Sequence, residues 1–252
     1  MKRNLLLVGE VLLFCGVFMV CVYAVTSYYF ADHLLIPLTN ITSANVLRRL
    51  WMDFLLSSPA LLIFALFHTT VRKTLNIDRK NGKLCILLLG ILILSFFLFH
   101  DFTTRGIYIF LYNLVIVALA EEIVFRGYIY QRLKKINAVF SFFMTGCLFG
   151  IPHAIIPAVT NGSGLGETAL NMVSLIGWGI IQNGIFTYLL VRSNTLYVPI
   201  MFHALGNYFW DYGYADYMTI LECVFLGCFV INDIYVHKKQ IVEFFTKPTD
   251  YV

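Results

Sequence analysis

Apolar runs long enough to cross a bilayer, about 20 residues each, recur along this chain at Leu5 to Phe30, Trp51 to Val71, Leu84 to His100, Gly106 to Gln131, Ala138 to Pro157, Leu170 to Val191, Leu196 to Tyr212 and Tyr217 to Val236. Inside hydrocarbon each backbone N–H and C=O has to be satisfied within its own segment, so such runs predict helices. The expected fold is all-α: a polytopic membrane protein with about eight transmembrane helices. Composition agrees, because of 252 residues 60% are hydrophobic and only 13% charged, too few polar groups for a water-facing surface.

Lys2 and Arg3 precede the first run, which is longer than the apolar core of a secretory signal and reads as an uncleaved anchor. With the amino terminus in the cytoplasm, fourteen of the eighteen basic residues fall in inner segments, Arg48, Arg49 and Arg105 fall outside, and Arg126 lies within a span. That asymmetry predicts both termini inside. The net charge of +4 then belongs to inner loops that face anionic headgroups of the lipid bilayer. No basic run alternates with aromatic residues, which argues against a nucleic-acid partner.

The six cysteines all lie in apolar spans without a CxxC pair, and read as buried small residues. No connection is long enough for a soluble domain. The segment Asn161 to Glu167, NGSGLGE, lacks the lysine and the strand of a phosphate-binding loop and reads as a flexible outer loop between Ala158 and Ala169.

The stretch ALAEEIVFRGYIYQRL, residues 118 to 133, places Glu121, Glu122 and Arg126 in an apolar span. A charge at mid-bilayer costs about 2.5 to 3.5 kcal/mol on insertion scales, so the three need internal partners or water. Glu122 and Arg126 are helical i, i+4 neighbours and can pair, whereas Glu121 is rotated by about 100° and has no cation in its own helix. Two further spans carry polar pairs at the same spacing: Phe149 and His153 in FGIPHAIIP, and His203 and Asn207 in MFHALGNYF. A glutamate shielded from bulk water can take a proton from water and return it to a leaving amine. A histidine beside it can orient that water, and a second histidine with an asparagine amide can donate to the oxyanion formed when water attacks a peptide carbonyl. Those roles are expected of Glu121, of His153, and of His203 with Asn207. Glu121, His153 and His203 could also bind zinc, although no HExxH is present. Measured from the inner ends of their spans, these residues lie at different depths, and Pro152 is expected to bend the fifth helix toward the others.

Other polar residues read as structural. Glu10, Asp53 and His68 lie near predicted boundaries within reach of headgroups. Tyr128, Tyr130 and Gln131 suit an inner aromatic belt. Trp178, Gln182 and Asn183 suit interhelical hydrogen bonding, with Gly177, Gly179 and Gly184 allowing close helix approach.

EEIVFRG, FGIPH and RSNTLYVPIMFHALGN, in this order and spacing, resemble the CAAX protease and bacteriocin-processing (Abi) family over about residues 106 to 212. The resemblance divides the chain into a three-span region (1–105), a peptidase-like core (106–212) and a last span with its tail (213–252). It implies an intramembrane endopeptidase related to the type II CAAX prenyl endopeptidase, in which Glu121 and His153 activate water, His203 and Asn207 form the oxyanion hole, and Glu122, Arg126 and Phe149 support them. No cofactor is expected, although the family was first described as metalloproteases. The implied partner is a membrane-embedded or hydrophobic peptide or protein, and the implied setting is a bacterial plasma membrane, with peptide maturation or bacteriocin processing as the task. Some relatives look like non-catalytic scaffolds or bacteriocin self-immunity proteins. A transporter using the carboxylates and histidines as relays is a third reading, against which no repeated halves are seen.

Overall fold

The computed structural model describes residues 2–31, 35–77, 79–99 and 101–246. Lys247, and the side chains of Lys2, Arg3, Arg79, Lys80, Lys238 and Lys239, counted above among the inward-facing charges, lie outside the described residues. The long elements are all helices: α1 (Lys2–Ala31), α2 (Val46–Arg72), α3 (Arg79–Leu98), α4 (Thr104–Leu111), α5 (Leu119–Glu122), α6 (Tyr130–Leu133), α7 (Ala138–Gly150), α8 (Ile155–Asn161), α9 (Leu165–Ser193), α10 (Tyr197–Asp211) and α11 (Ala215–Thr246). π-helical segments Tyr112–Ala118 and Ile123–Ile129 join α4, α5 and α6 into one column, and a 3₁₀ turn, Ile151–Ala154, joins α7 to α8.

Among the described residues, seven stretches are long and apolar enough to cross a membrane: Asn4–Ala31, Val46–Arg72, Asn81–Leu98, Thr104–Leu133, Ala138–Asn161, Leu165–Ser193 and Ala215–Val236. The chain is therefore an all-α polytopic membrane protein. The run at Leu196 to Tyr212 forms the 15-residue α10, shorter than a full span. At about 1.5 Å per residue it is only about 22 Å long. Its Val198, Ile200, Phe202, Ala204 and Leu205 are buried against protein rather than lipid, so its length need not match the bilayer. Leu5, Leu6, Ile86, Leu87, Leu98 and Leu170 by contrast stand exposed, an apolar surface that suits lipid.

Residues 1–208 form one compact unit and residues 209–252 a second. In the second, Gly213 takes φ 78° in the turn before α11, and Cys223 and Cys228 on that helix are exposed, unlike the buried Cys15 and Cys85. The expectation of six buried cysteines thus holds only in part.

Within the first unit the α4 to α6 column is central. Residues 122–130 are buried without interruption, the pattern of a helix surrounded on all sides. Tyr128 and Tyr130 are accordingly interior residues rather than an interfacial belt. The Tyr128 hydroxyl donates to Glu10 Oε1 at 2.6 Å, and Arg132 pairs with the same carboxylate, so Glu10, still partly exposed, ties α1 to the column. Asp53 is buried, bonded by Arg49 one turn earlier (2.8 Å) and by the Tyr108 hydroxyl of α4. Arg49, expected outside the membrane, is therefore part of a buried pair on α2. His68 is exposed, as the sequence suggested.

The closest helix approach in this unit involves α7 and α9. A Cβ on Gly150 would lie 2.1 Å from the Leu175 carbonyl oxygen, one on Gly146 would lie 2.6 Å from Ile180 Cα, and one on Gly179 would lie 2.6 Å from the Gly146 carbonyl oxygen. Gly146 and Gly150 form a GxxxG pair, the small-residue signature of close helix packing. Of the three glycines expected to allow close approach, only Gly179 is used in this way, since Gly177 meets open space and Gly184 makes ordinary contact. Asn183 does bond between helices, donating to the Phe142 carbonyl at 2.7 Å. The expected flexible loop at 158–169 shrinks to Gly162–Gly164, because α8 runs to Asn161 and ends on a left-handed Gly162 at φ 63°. At the other end of α9, Asn194 takes φ 56°, a conformation asparagine tolerates, and the chain reverses into α10.

Replacing a helical glycine by alanine ordinarily gains about 1 kcal/mol of propensity, while overpacking costs about 1 to 3 kcal/mol. Gly150→Ala is expected to lower the midpoint of thermal unfolding in detergent, and Gly177→Ala to leave it level or raise it. Equal midpoints for the two variants would contradict the α7–α9 contact.

Candidate active site

The two adjacent glutamates sit on α5, the single α-helical turn between two π-helical segments. π-Bulges often accompany functional sites, because the extra residue per turn re-aims neighbouring side chains. Glu122 is fully buried, and one of its oxygens, Oε1, accepts two hydrogen bonds, from Arg126 Nη1 at 3.0 Å and from His203 Nδ1 at 2.9 Å. The Arg126 guanidinium carbon lies 4.3 Å from the ring centre of Phe149 and 4.8 Å from that of Phe186, so aromatic faces from α7 and α9 enclose the cation. The Phe186 ring in turn stacks on the His203 imidazole, 4.8 Å between centres at 19°.

Glu121 is treated differently by the fold. Its side chain keeps 21% of its surface exposed, against none for Glu122 and Arg126. It faces both histidines: His153 Nε2 lies 3.9 Å from Oε1 and His203 Nε2 lies 3.7 Å from Oε2. Both separations are just beyond direct hydrogen bonding, the range in which a water molecule can mediate. The far side of each imidazole is fixed. His153 Nδ1 lies 2.8 Å from the Phe149 carbonyl oxygen, which only accepts, so Nδ1 carries hydrogen and Nε2 is the nitrogen presented to Glu121. His203 Nδ1 is held in the same way by Glu122. Two imidazoles thus turn their Nε2 atoms toward one carboxylate.

His153 reaches this position from the 3₁₀ turn after α7, with Pro152 in the first turn, so the helix tightens where a bend was expected. Its ring packs against Phe149 (4.8 Å between centres) and Trp178 (5.0 Å), and Phe149 stacks on Trp178 at 5.5 Å. The close α7–α9 approach is what brings the Trp178 ring to His153.

The structure therefore brings Glu121, Glu122, Arg126, Phe149, His153 and His203 together. Asn207 is half-buried one turn along α10 from His203 and shares its helical face, but forms no hydrogen bond among the described residues. Phe186 and the place of Trp178 were not legible beforehand, since an aromatic residue in an apolar span carries no signal of its neighbour across helices. Phe186 lies seven residues after Gly179, two turns along the same helix, and the glycine contact is the nearest clue to it.

Glutamate with two histidines is a zinc-type donor set. The two imidazoles approach different oxygens of Glu121, His153 Nε2 at 3.9 Å and His203 Nε2 at 3.7 Å. Among the described residues no group of three His, Cys, Asp or Glu side chains could hold a metal ion in this geometry.

An enclosed carboxylate facing two imidazoles within a membrane helix bundle can take a proton from water. Residues 102–209 match the family described as type II CAAX prenyl endopeptidase Rce1-like, a match that supports a likeness to the CAAX proteases over that segment. The matched segment runs from the turn before α4 into α10 and contains every residue of the cluster. No curated protein and no solved structure matches the chain.

The unequal burial of the two glutamates gives a stability test. Removing one member of a buried ion pair costs about 3 to 5 kcal/mol, so Glu122→Gln should lower the unfolding midpoint sharply. Glu121→Gln, at a carboxylate with no direct partner, should change it by no more than about 0.5 kcal/mol, the range of substitutions away from such pairs. Thermal melts of both variants in one detergent decide the matter; equal losses would mean that Glu121 is also a structural residue.

Proposed function

We propose that the chain is a glutamate-dependent intramembrane endopeptidase that hydrolyses a peptide bond of a membrane-embedded or hydrophobic peptide. The observation that carries this reading is Glu121, partly open and unpaired, with the Nε2 atoms of His153 and His203 on its two oxygens at 3.9 and 3.7 Å. Water seated between Glu121 and His153 gives up a proton to Glu121 as its oxygen attacks the scissile carbonyl. The carbonyl oxygen becomes an oxyanion. Glu121 then passes its proton to the leaving nitrogen, the oxyanion collapses as the C–N bond breaks, and a carboxylic acid and an amine leave.

Charge balance supports the role of His203. Glu121, Glu122 and Arg126 together carry one excess negative charge, and enclosed excess charge is expensive. A single protonated imidazole neutralises it, and His203 is bonded to Glu122 at 2.9 Å and faces Glu121 across 3.7 Å. As an imidazolium it keeps Nδ1–H on Glu122 and donates through Nε2–H to the oxyanion, with Asn207, on the same face of α10, as second donor. Glu122, Arg126, Phe149 and Phe186 then serve as positioning residues. No metal ion takes part in this reading. The bias of basic residues toward the expected inner segments supports a cytoplasmic amino terminus, and this reading sets the protein in a bacterial plasma membrane. Within the family, a scaffold or bacteriocin self-immunity role is the competing reading.

The deciding comparison is of the membrane peptidome of cells expressing the native protein with that of cells expressing Glu121→Gln at equal levels. Peptides with new termini should appear only with the native protein. Identical peptidomes would remove the peptidase and favour the scaffold. With purified protein, cleavage should persist in a strong chelator, whereas loss of cleavage that zinc restores would refute the metal-free route.

A further inference from the structure

Glu121 also lines a cavity of about 110 Å³, and half of the other residues around it come from α1 and α2, outside the family match. One water needs only about 10 to 15 Å³ of such space, so the cavity is large enough for a side chain. Phe18 and Val22 of α1, Leu56 of α2, Ile116 and Val117 of the first π-helical segment and Ile156 of α8 give it apolar walls. Two polar residues of α2, Asp53 and Ser57, one helical turn apart, interrupt them.

These two offer acceptors. Asp53 has 1% of its side chain exposed, and its Oδ2 takes the bonds from Arg49 and Tyr108, while its Oδ1 accepts none among the described residues. The Ser57 hydroxyl donates its hydrogen to the Phe54 carbonyl at 3.1 Å, which leaves its oxygen free to accept. A buried acceptor without a donor costs about 1 to 3 kcal/mol, a cost removed when a ligand supplies the donor. Arg49 already balances the charge of Asp53 at 2.8 Å. A cationic ligand would therefore bring an unpaired charge into an apolar cavity, whereas a neutral O–H or N–H meets the demand without one.

We propose that this cavity is the specificity subsite of the peptidase, taking one substrate side chain with an apolar stem and a neutral hydrogen-bond donor at its tip, of the threonine, asparagine or glutamine kind. The stem lies against Phe18, Val22, Leu56 and Val117, and the tip donates to Asp53 and Ser57. The proposal rests on the peptidase reading of Glu121. It gives α1 and α2 a part in substrate choice, beside the matched segment that supplies the chemistry.

The test uses the full chain in lipid nanodiscs, a proteome-derived peptide library, and mass spectrometry of newly formed termini, with Glu121→Gln as background. At one position beside the cut, the native protein should prefer Thr, Asn or Gln over Val or Leu by about tenfold or more, the scale on which polar sites reject analogues lacking the donor. Arg49→Met/Asp53→Leu removes both charges together and leaves neither unpaired; it should reduce that preference to about twofold or less. Val22→Phe fills the cavity and should move the preference toward Gly, Ala and Ser, and it carries the test alone if the double variant does not fold. An unchanged profile in the variants, or a native preference for Lys or Arg, overturns the subsite while leaving the peptidase standing. Absence of any Glu121-dependent cleavage by the native protein overturns both.

Discussion

One oxygen atom, Glu122 Oε1, organises the centre of this protein. It receives Arg126 from its own column and His203 from α10, in a place that water does not reach. A buried carboxylate with a single partner would leave that centre charged and under-bonded; the second bond, to an imidazole on another helix, couples formation of the ion pair to docking of α10. The aromatic rings of Phe149 and Phe186 then enclose the guanidinium from two further helices. Four sequence-distant segments thus meet around one ion pair.

The same arrangement explains why two adjacent glutamates differ. A step of one residue on α5 turns Glu121 away from Arg126 and toward the open side of the cluster, where both Nε2 atoms face it. Orientation of His153 depends on a second device, the glycine contact between α7 and α9. That contact is close enough for Trp178 to stack on Phe149 and abut His153, and the 3₁₀ turn at Pro152 aims the imidazole. Neither device would serve without the other, because the charge cluster fixes His203 and the helix contact fixes His153.

Of the polar residues expected near the membrane boundary in the first three spans, Asp53 proves to be interior, and Glu10 stays partly exposed but is paired. Hydropathy gives a residue's distance along its helix, not the partners that other helices bring to that depth. Arg132 and Tyr128 meet Glu10, and Tyr108 meets Asp53, only once α1 and α2 pack on the α4 to α6 column.

The sequence by itself determined the membrane-spanning helical class, since runs of about 20 apolar residues have no other stable form in lipid. It also determined the division of labour between Glu121 and the pair Glu122 with Arg126, because helical spacing is a local property. It did not determine that Glu122 holds His203, that Phe186 covers both Arg126 and His203, that α10 is a short enclosed helix, or that α1 and α2 line a cavity ending at Glu121. Those were decided by tertiary structure alone, because each depends on the distance between helices. That distance is set by glycine contacts and buried ion pairs whose members lie far apart in the chain.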